Sequence, residues 1–192
     1  KVRADKLREV TDGCDGTCAF CVVPSVRGPA ASVPLADVQA AVARAAARGA
    51  AEVVLAGIDL ASWGRDRGEG DVAALLAALV AMGTGMRFRL SSIEPQHVDD
   101  DLLAAWTEEG AGRCLPHVHL PLQSGDDGVL RRMGRRYAAA DYARVVERVR
   151  AAIPGVAVHA DVIAGFPTED DAAFERSLAF VQELLDALPA GP

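Results

Sequence analysis

Cys14, Cys18 and Cys21 follow the spacing C-x3-C-x2-C, three thiols within eight residues. Thiolates this close together are ligands for a soft metal centre far more often than they are core filler. A structural zinc site is normally closed by four ligands. Here the remaining cysteine, Cys114, lies far along the chain. Three ligands leave one coordination position open, and an open position is where a metal centre does chemistry.

Such a loop must be held by a scaffold, and the hydrophobic pattern describes one. Residues 7 to 11 form a weak strand candidate leading into the cysteines. Pro34 suits the first turn of a helix in which Val38, Val42 and Ala45 recur at helical spacing up to Gly49. Residues 52 to 56 form a short apolar run ended by Gly57, as in a strand buried on both faces. The glycine- and charge-rich stretch 58 to 70 reads as a loop, and Asp71 to Met82 as a helix. The unit recurs: strands at Met86 to Ile93, His117 to Leu122 and Val156 to Ala164, with a helix at Asp99 to Glu109 and helical segments at 127 to 133 and 139 to 152. Ser124 and Asp127 resemble a capping box. Thr168 can cap a final helix that places Phe174, Leu178, Val181 and Leu185 on one side.

This alternation predicts a parallel α/β fold, either doubly wound or a (β/α) barrel. The glycine fingerprint of a dinucleotide-binding fold is missing, because the first strand–helix loop holds cysteines instead. In both architectures functional groups gather at the carboxyl ends of the strands. That rule predicts one rim carrying Cys14, Cys18 and Cys21, then Gly57 and Asp59, Ser92 and Glu94, Gln123 and Ser124, and Asp161 and Gly165.

Composition bounds the function. The 192 residues fit one domain, with 51% apolar and 24% charged residues, as in ordinary globular proteins. No run of about 18 apolar residues is present, so no membrane span is expected. Lys1-Val2-Arg3-Ala4-Asp5 is too charged for a signal peptide. The chain starts without a methionine and is expected to be a piece of a longer one. Clustered rather than framework-like cysteines imply a reducing, cytoplasmic setting. A net charge of −7 is not that of a free-standing nucleic-acid binder. Arg131, Arg132, Arg135 and Arg136 nevertheless cluster, either as a solvated helix face, the favoured reading, or as an anion contact beside an active site.

The cysteine loop, with Val22-Val23-Pro24 and Arg27-Gly28 after it, resembles that of the radical S-adenosylmethionine (SAM) enzymes. Pro121-Leu122-Gln123-Ser124-Gly125 and Asp161-Val162-Ile163-Ala164-Gly165-Phe166-Pro167 are similar to blocks of the methylthiotransferases among them. Leu55-Ala56-Gly57-Ile58-Asp59 and Leu90-Ser91-Ser92-Ile93-Glu94-Pro95 resemble the branch that methylthiolates threonylcarbamoyladenosine beside the tRNA anticodon. The resemblance implies a partial (β/α) barrel of about five βα units without its last strand, residues 1–192 being the core domain. It implies that Cys14, Cys18 and Cys21 bind a [4Fe–4S] cluster whose fourth iron is chelated by SAM. An electron then cleaves SAM to a 5′-deoxyadenosyl radical, which abstracts hydrogen from the adenine ring of the substrate. A flavodoxin or ferredoxin would donate the electron, and tRNA would be the substrate of the full-length protein.

By the same resemblance Phe20 lies near the SAM adenine or simply packs the loop, and Gly57 admits the methionine end of SAM or simply ends a strand. Glu94, Gln123, Ser124 and Asp161 hydrogen-bond SAM or substrate, unless Ser124 only caps a helix. Arg135 pairs with the SAM carboxylate or an RNA phosphate, or is solvated. His117 and His119, alternating on one strand near Cys114, are read as packed histidines in preference to a second metal site, and Cys114 as a small buried residue. His159 and Asp161 share a strand face, where orientation of Asp161 is preferred to an acid–base role. Where the family usually has more arginines after Arg27-Gly28, this chain reads Pro29-Ala30-Ala31-Ser32-Val33. The family's domain for a second cluster and its RNA-binding β-barrel are both missing from the 192 residues, so the core is expected to cleave SAM without inserting sulfur. Competing readings are methylthiolation of another tRNA adenosine or a ribosomal protein side chain, and a non-catalytic module in which the cysteines hold zinc or a structural cluster.

Overall fold

Glu52-Val53-Val54-Leu55 forms a strand, β4 (Glu52–Leu55), because its β-branched residues suit an extended backbone, with Val53 and Leu55 fully buried on one side. Glu52 and Val54, on the other side, are only half-buried. The expectation of burial on both faces fails there because the second face lines the inside of an open arc.

The computed structural model describes residues 4–6, 9–110 and 112–187. Its other elements are β1 (Ala4–Lys6), β2 (Thr11–Asp12), α1 (Val23–Arg27), β3 (Ala31–Ser32), α2 (Leu35–Ala47), α3 (Val72–Val80), β5 (Arg87–Leu90), α4 (Asp100–Ala104), β6 (His117–His119), α5 (Asp127–Arg132), α6 (Ala139–Ala152), β7 (Ala157–His159) and α7 (Asp171–Asp186). The strand candidate at residues 7 to 11 lies partly outside the described residues; its described part supplies Thr11 to β2.

β1, β4 and β5 pair in parallel, with Lys6 opposite Val54 and Leu55 opposite Leu90. β6 and β7 pair in parallel, with Val118 opposite Val158. Bridges from Phe88 to Cys114 and from Ser92 to His119 join the two sheets, giving one parallel arc in the order β1-β4-β5-β6-β7. Among the described residues β1 and β7 do not pair, so the arc is an open, partial barrel. The strands at 86–93, 117–122 and 156–164 are shorter than expected, because beyond them the pairing continues only as isolated bridges, Ser92 to His119 and Gln123 to Val162.

The helices cover the outside. Leu75, Leu76 and Leu79 of α3, Leu102 of α4, Leu130 of α5 and Tyr142 and Val149 of α6 are buried in one core with Val53, Leu55, Phe88, Leu90 and Val118. Each such side chain contributes roughly 1.5–3 kcal/mol on leaving water. The opposite face is polar. Arg89 Nε donates to Glu52 at 3.0 Å, and the rings of His117 and His159 lie 4.5 Å apart.

Three local expectations are corrected. The cap of α5 is Asp126, whose side chain accepts from Val129 N at 2.8 Å; Ser124 and Asp127 form no capping box. The cap of α7 is Asp170, accepting from Ala173 N, because Thr168 stands at φ 74° in the turn before it. The face of α7 that meets the core runs through Ala173, Ser177, Phe180, Val181 and Leu184. Phe174, Leu178 and Leu185 stay exposed. Among the described residues no helix is long and apolar enough to cross a membrane.

Candidate functional site

The antiparallel pair β2–β3, with Thr11 opposite Ser32 and Asp12 opposite Ala31, closes the base of the cysteine loop. Gly13, at φ +68°, opens the loop, and a Cβ there would stand 2.0 Å from the carbonyl oxygen of Pro29, so only glycine fits. Cys14 N donates to Gly28 O at 3.1 Å, and Asp12 accepts from Gly13 N and Arg27. The tip is pinned on the other side by Ala19 N, which donates to Met133 O at 2.9 Å. A Cβ on Gly134 would stand 2.8 Å from Thr17 O, so the loop is pressed against the end of α5.

Beside this loop the strand ends enclose a cavity of about 610 Å³, in the size range of small-molecule sites. Cys14 and Cys18 line it together with Asp59 after β4, Ser92 and Glu94 after β5, Gln123 after β6 and Asp161 after β7. The cavity thus collects groups from the ends of β4, β5, β6 and β7 beside the cysteine loop. Cys21 is exposed and off the lining, yet close enough for its charge to act on the Cys18 thiol. Burial pushes both the Cys14 and Cys18 thiols above their usual range; Arg135 opposes this at Cys18, and the Gly16 N–H, 3.2 Å from Cys14 Sγ, opposes it at Cys14. Left to themselves both are thiols near neutrality, and a bound metal is what would ionise them.

Arg135 is not a solvated member of an arginine run. Its side chain is 6% exposed, ion-paired with Glu94, and its guanidinium lies 5.5 Å from the Phe20 ring centroid and 6.0 Å from that of Tyr137. Tyr137 OH donates to the carbonyls of Pro121 and Leu122, and burial raises its pKa to about 12. Burial also raises the Asp59 carboxyl, against the opposing pull of His97. The Asp59 carboxylate stands 4.0 Å from Cys14 Sγ. Gln123 holds a left-handed backbone, φ 68°, stabilised by its N–H donating to Asp161 O and its carbonyl accepting from Ile163 N. Such strain costs about 1–3 kcal/mol and concentrates at functional sites.

Of the other candidates, Ser124 is fully buried and shares a hydrogen bond with Ser177 at 3.0 Å, while accepting from Asp126 N; it does not reach the cavity. Gly57 also stays off the lining, because its close approach is to Thr11: a Cβ there would be 2.1 Å from Thr11 Oγ1. Phe20, 41% exposed, sits outside the cavity between Arg135 and the edge of Phe166. Asp161 is held by His119, Nε2 to Oδ2 2.9 Å, and not by His159, which packs on His117. Cys114 is half-buried against Gly110, with a thiol pKa pushed to about 12 by burial. Among the described residues no three His, Cys, Asp or Glu side chains converge on a point that a single metal ion could occupy. Sequence reasoning did not single out Tyr137, His97 or Arg65. For Tyr137 the signal was present: an aromatic directly after the arginine run.

The family model described as "Radical SAM superfamily" matches residues 9–181. The chain is 38% identical over 177 residues to the threonylcarbamoyladenosine tRNA methylthiotransferase MtaB of Thermotoga maritima, covering 92% of this chain and 40% of that protein. It is 42% identical over 180 residues to a tRNA-2-methylthio-N(6)-dimethylallyladenosine synthase of Anaeromyxobacter dehalogenans, covering 94% of this chain and 38% of that protein. The chain therefore spans about two fifths of the length of these relatives. Among solved structures it is similar to the radical S-adenosylmethionine methyltransferase TsrM of Kitasatospora setae, solved with tryptophan and a SAM analogue (TM-score 0.75, 17% identity, 94% of this chain and 34% of that one). It is also similar to methylornithine synthase (TM-score 0.63, 15% identity, 94% and 50%). At these identities the two structures speak to the fold.

Proposed function

The chain belongs to the radical SAM superfamily, and from that premise we propose that it is the catalytic core of a tRNA methylthiotransferase acting on threonylcarbamoyladenosine. The observation that carries this reading is a cavity in which Cys14 and Cys18 meet polar groups from the ends of β4, β5, β6 and β7. The 42% identity to a relative named for dimethylallyladenosine supports a second reading, the same reaction on that nucleoside.

The residues fit an iron–sulfur cluster. The donors are three thiols, the ligand type that holds such clusters, and they leave one position for SAM. Gly16 lies between two of them, where a Cβ would stand 3.1 Å from Cys14 Sγ and 4.0 Å from Cys18 Sγ. Cys14, Cys18 and Cys21 would hold the cluster. When bound, it supplies the electron that cleaves SAM, delivered from a flavodoxin- or ferredoxin-type donor. The chain's own share is placement. Gln123, held in its strained conformation, and Asp161, fixed by His119, present polar atoms to SAM or substrate. Glu94 and Arg135 form a charged pair on the same wall that can offer a cation to the SAM carboxylate or a carboxylate to its ammonium.

The test is anaerobic reconstitution of the protein at its native length. The expected outcome is iron and sulfide bound, 5′-deoxyadenosine released with SAM and reductant, and loss of both on replacing Cys14, Cys18 or Cys21 by Ala. Cys114→Ala is expected to keep its iron. Stoichiometric zinc in anaerobically purified protein, or a reconstituted cluster without SAM cleavage, would sink the reading. Mass spectrometry of tRNA nucleosides from cells lacking the gene then separates the two adenosine substrates, and unchanged tRNA would point to a protein substrate.

A further inference from the structure

The charges on the cavity lining are partnered unevenly. Each carboxylate there is engaged within the chain. Glu94 pairs with Arg135 and Asp161 with His119; Asp66 accepts from Ser32 N at 3.1 Å, Asp15 from Ala30 N at 3.4 Å, and Asp59 faces the Cys14 thiol. Two guanidiniums on the same lining, Arg65 and Arg136, are exposed, and neither has a carboxylate within ion-pair distance among the described residues. Arg65 reaches Asp59 only through longer-range electrostatics.

Both arginines stand on backbone that is fixed in place. Arg65 follows Gly64, which holds φ +83° against Gly70, donates its N–H to Ser32 Oγ at 2.8 Å and accepts from Glu69 N at 3.0 Å. Arg136 lies between buried Arg135 and buried Tyr137, each locked by its own partners, so the one exposed side chain of the three is the one without a partner. The two come from separate loops, after β4 and after α5, and share one cavity.

We propose that Arg65 and Arg136 form a phosphodiester-binding pair at the cavity mouth, gripping RNA backbone phosphates beside the nucleotide whose base enters the cavity. The proposal rests on the RNA substrate argued above and names where the core would hold it. Guanidinium forks match phosphate oxygens in geometry and charge, and an unpaired guanidinium gains more from an arriving anion than one already in an ion pair. With a net charge of −7 the chain as a whole repels a polyanion, so contact needs local cations where the strands meet the mouth.

The experiment measures binding of tRNA, isolated from cells lacking the modification, to the reconstituted native-length protein at several salt concentrations. R65Q/R136Q is expected to weaken binding by about tenfold or more near physiological salt and to lower the log–log salt slope by about two, one for each lost contact. R65K/R136K keeps the charges and is expected to keep most of the slope. R131Q, which removes an exposed arginine outside the cavity lining, is the control for diffuse electrostatics. The half-saturating tRNA concentration is expected to rise in R65Q/R136Q, while iron content and thermal midpoint stay those of the wild type. If wild type binds and modifies tRNA while R65Q/R136Q keeps affinity and slope, or R131Q matches its loss, the phosphate pair is wrong and the reaction stands. A rise in half-saturation for SAM in place of tRNA likewise overturns it. If wild type binds no tRNA, both the RNA reading and the pair fall.

Discussion

The Arg135 guanidinium and the Glu94 carboxylate form an ion pair that ties the segment after α5 to the end of β5, directly beside the cysteine loop. The arginine is almost wholly buried, while Glu94 is about a third exposed (36%), so the two partners do not lose water equally.

Removing the arginine is therefore expected to be worse than removing the acid. Arg135→Ala takes away the cation, the stack on Phe20 and Tyr137, and the partner of a half-buried carboxylate. Breaking a fully buried pair costs about 3–5 kcal/mol and an exposed one under about 1, so a loss of about 2–3 kcal/mol in urea unfolding is expected. Arg135→Lys should recover only part, because an ammonium cannot lie flat between two rings. A double-mutant cycle with Glu94→Gln should show a coupling above about 0.5 kcal/mol. Additive effects would mean that the two side chains are merely neighbours.

Gly57 and Thr11 make a steric prediction. A Cβ on Gly57 would fall 2.1 Å from Thr11 Oγ1, which is buried and has no hydrogen-bond partner among the described residues. Gly57→Ala should cost about 1–3 kcal/mol through overpacking, and Thr11→Ala should restore most of it in the double variant. The cost is read from thermal or urea unfolding. A double variant that regains stability but keeps a raised KM for SAM would show that the glycine also faces the ligand. Full recovery of both confines its role to Thr11.

What could be read from sequence follows the reach of the physics involved. The alternation of apolar runs with helical periodicity is local, and it located β4 to β7 and the longer covering helices, while β1 at Ala4–Lys6 and the one-turn α1 at Val23–Arg27, too short to carry a period, went unread. Caps were less legible because Ser124, Asp126 and Asp127 are all competent acceptors: Ser124 meets the amide of Asp126 and Asp127 that of Ala139, and only Asp126 meets an amide of the first turn of α5, that of Val129. Arg135 was opaque for a different reason. Its neighbours in sequence are exposed arginines, while Phe20, Glu94 and Tyr137, which enclose it, come from segments far apart in the chain or from the far side of Arg136. The partner of Asp161 depended on cross-strand register, which sets His119 opposite His159 and leaves Asp161 to reach back across the ladder.

Asp126 gives an acid-stability prediction. Burial alone would raise its carboxyl, but the Arg176 guanidinium at 2.7 Å and the N–H groups of Val129 and Gly128 outweigh it and hold the pKa below the usual 3.8. A carboxyl with a depressed folded pKa contributes stability that is present above its unfolded value and lost as pH falls through the folded one. The melting temperature should drop below about pH 4, and Asp126→Asn should flatten that part of the curve. Asp126→Ala removes the cap as well and should cost about 1 kcal/mol more at neutral pH. A curve for Asp126→Asn as steep as that of the wild type would place the acid lability elsewhere.

His117 acts in a different pH window. Burial first, then the charges of Arg89 and His159, hold its pKa below the usual 6.5, and its Nδ1 is buried without a hydrogen-bond partner among the described residues. The unfolded chain therefore takes up a proton before the folded one does. Stability is fully present above 6.5 and declines as pH falls from there towards the folded value, below which both states are protonated and the decline stops. Replacing His117 by Gln removes the titration while keeping a polar side chain beside His159. The expected result is a wild-type melting temperature that falls as pH drops below about 6.5 and a variant whose curve is flatter there, so that the difference between the two changes as pH falls. His119→Gln breaks the hydrogen bond to Asp161 and serves as the comparison. If His117→Gln leaves the curve as steep as that of the wild type, the buried His117 nitrogen is not what limits stability in acid.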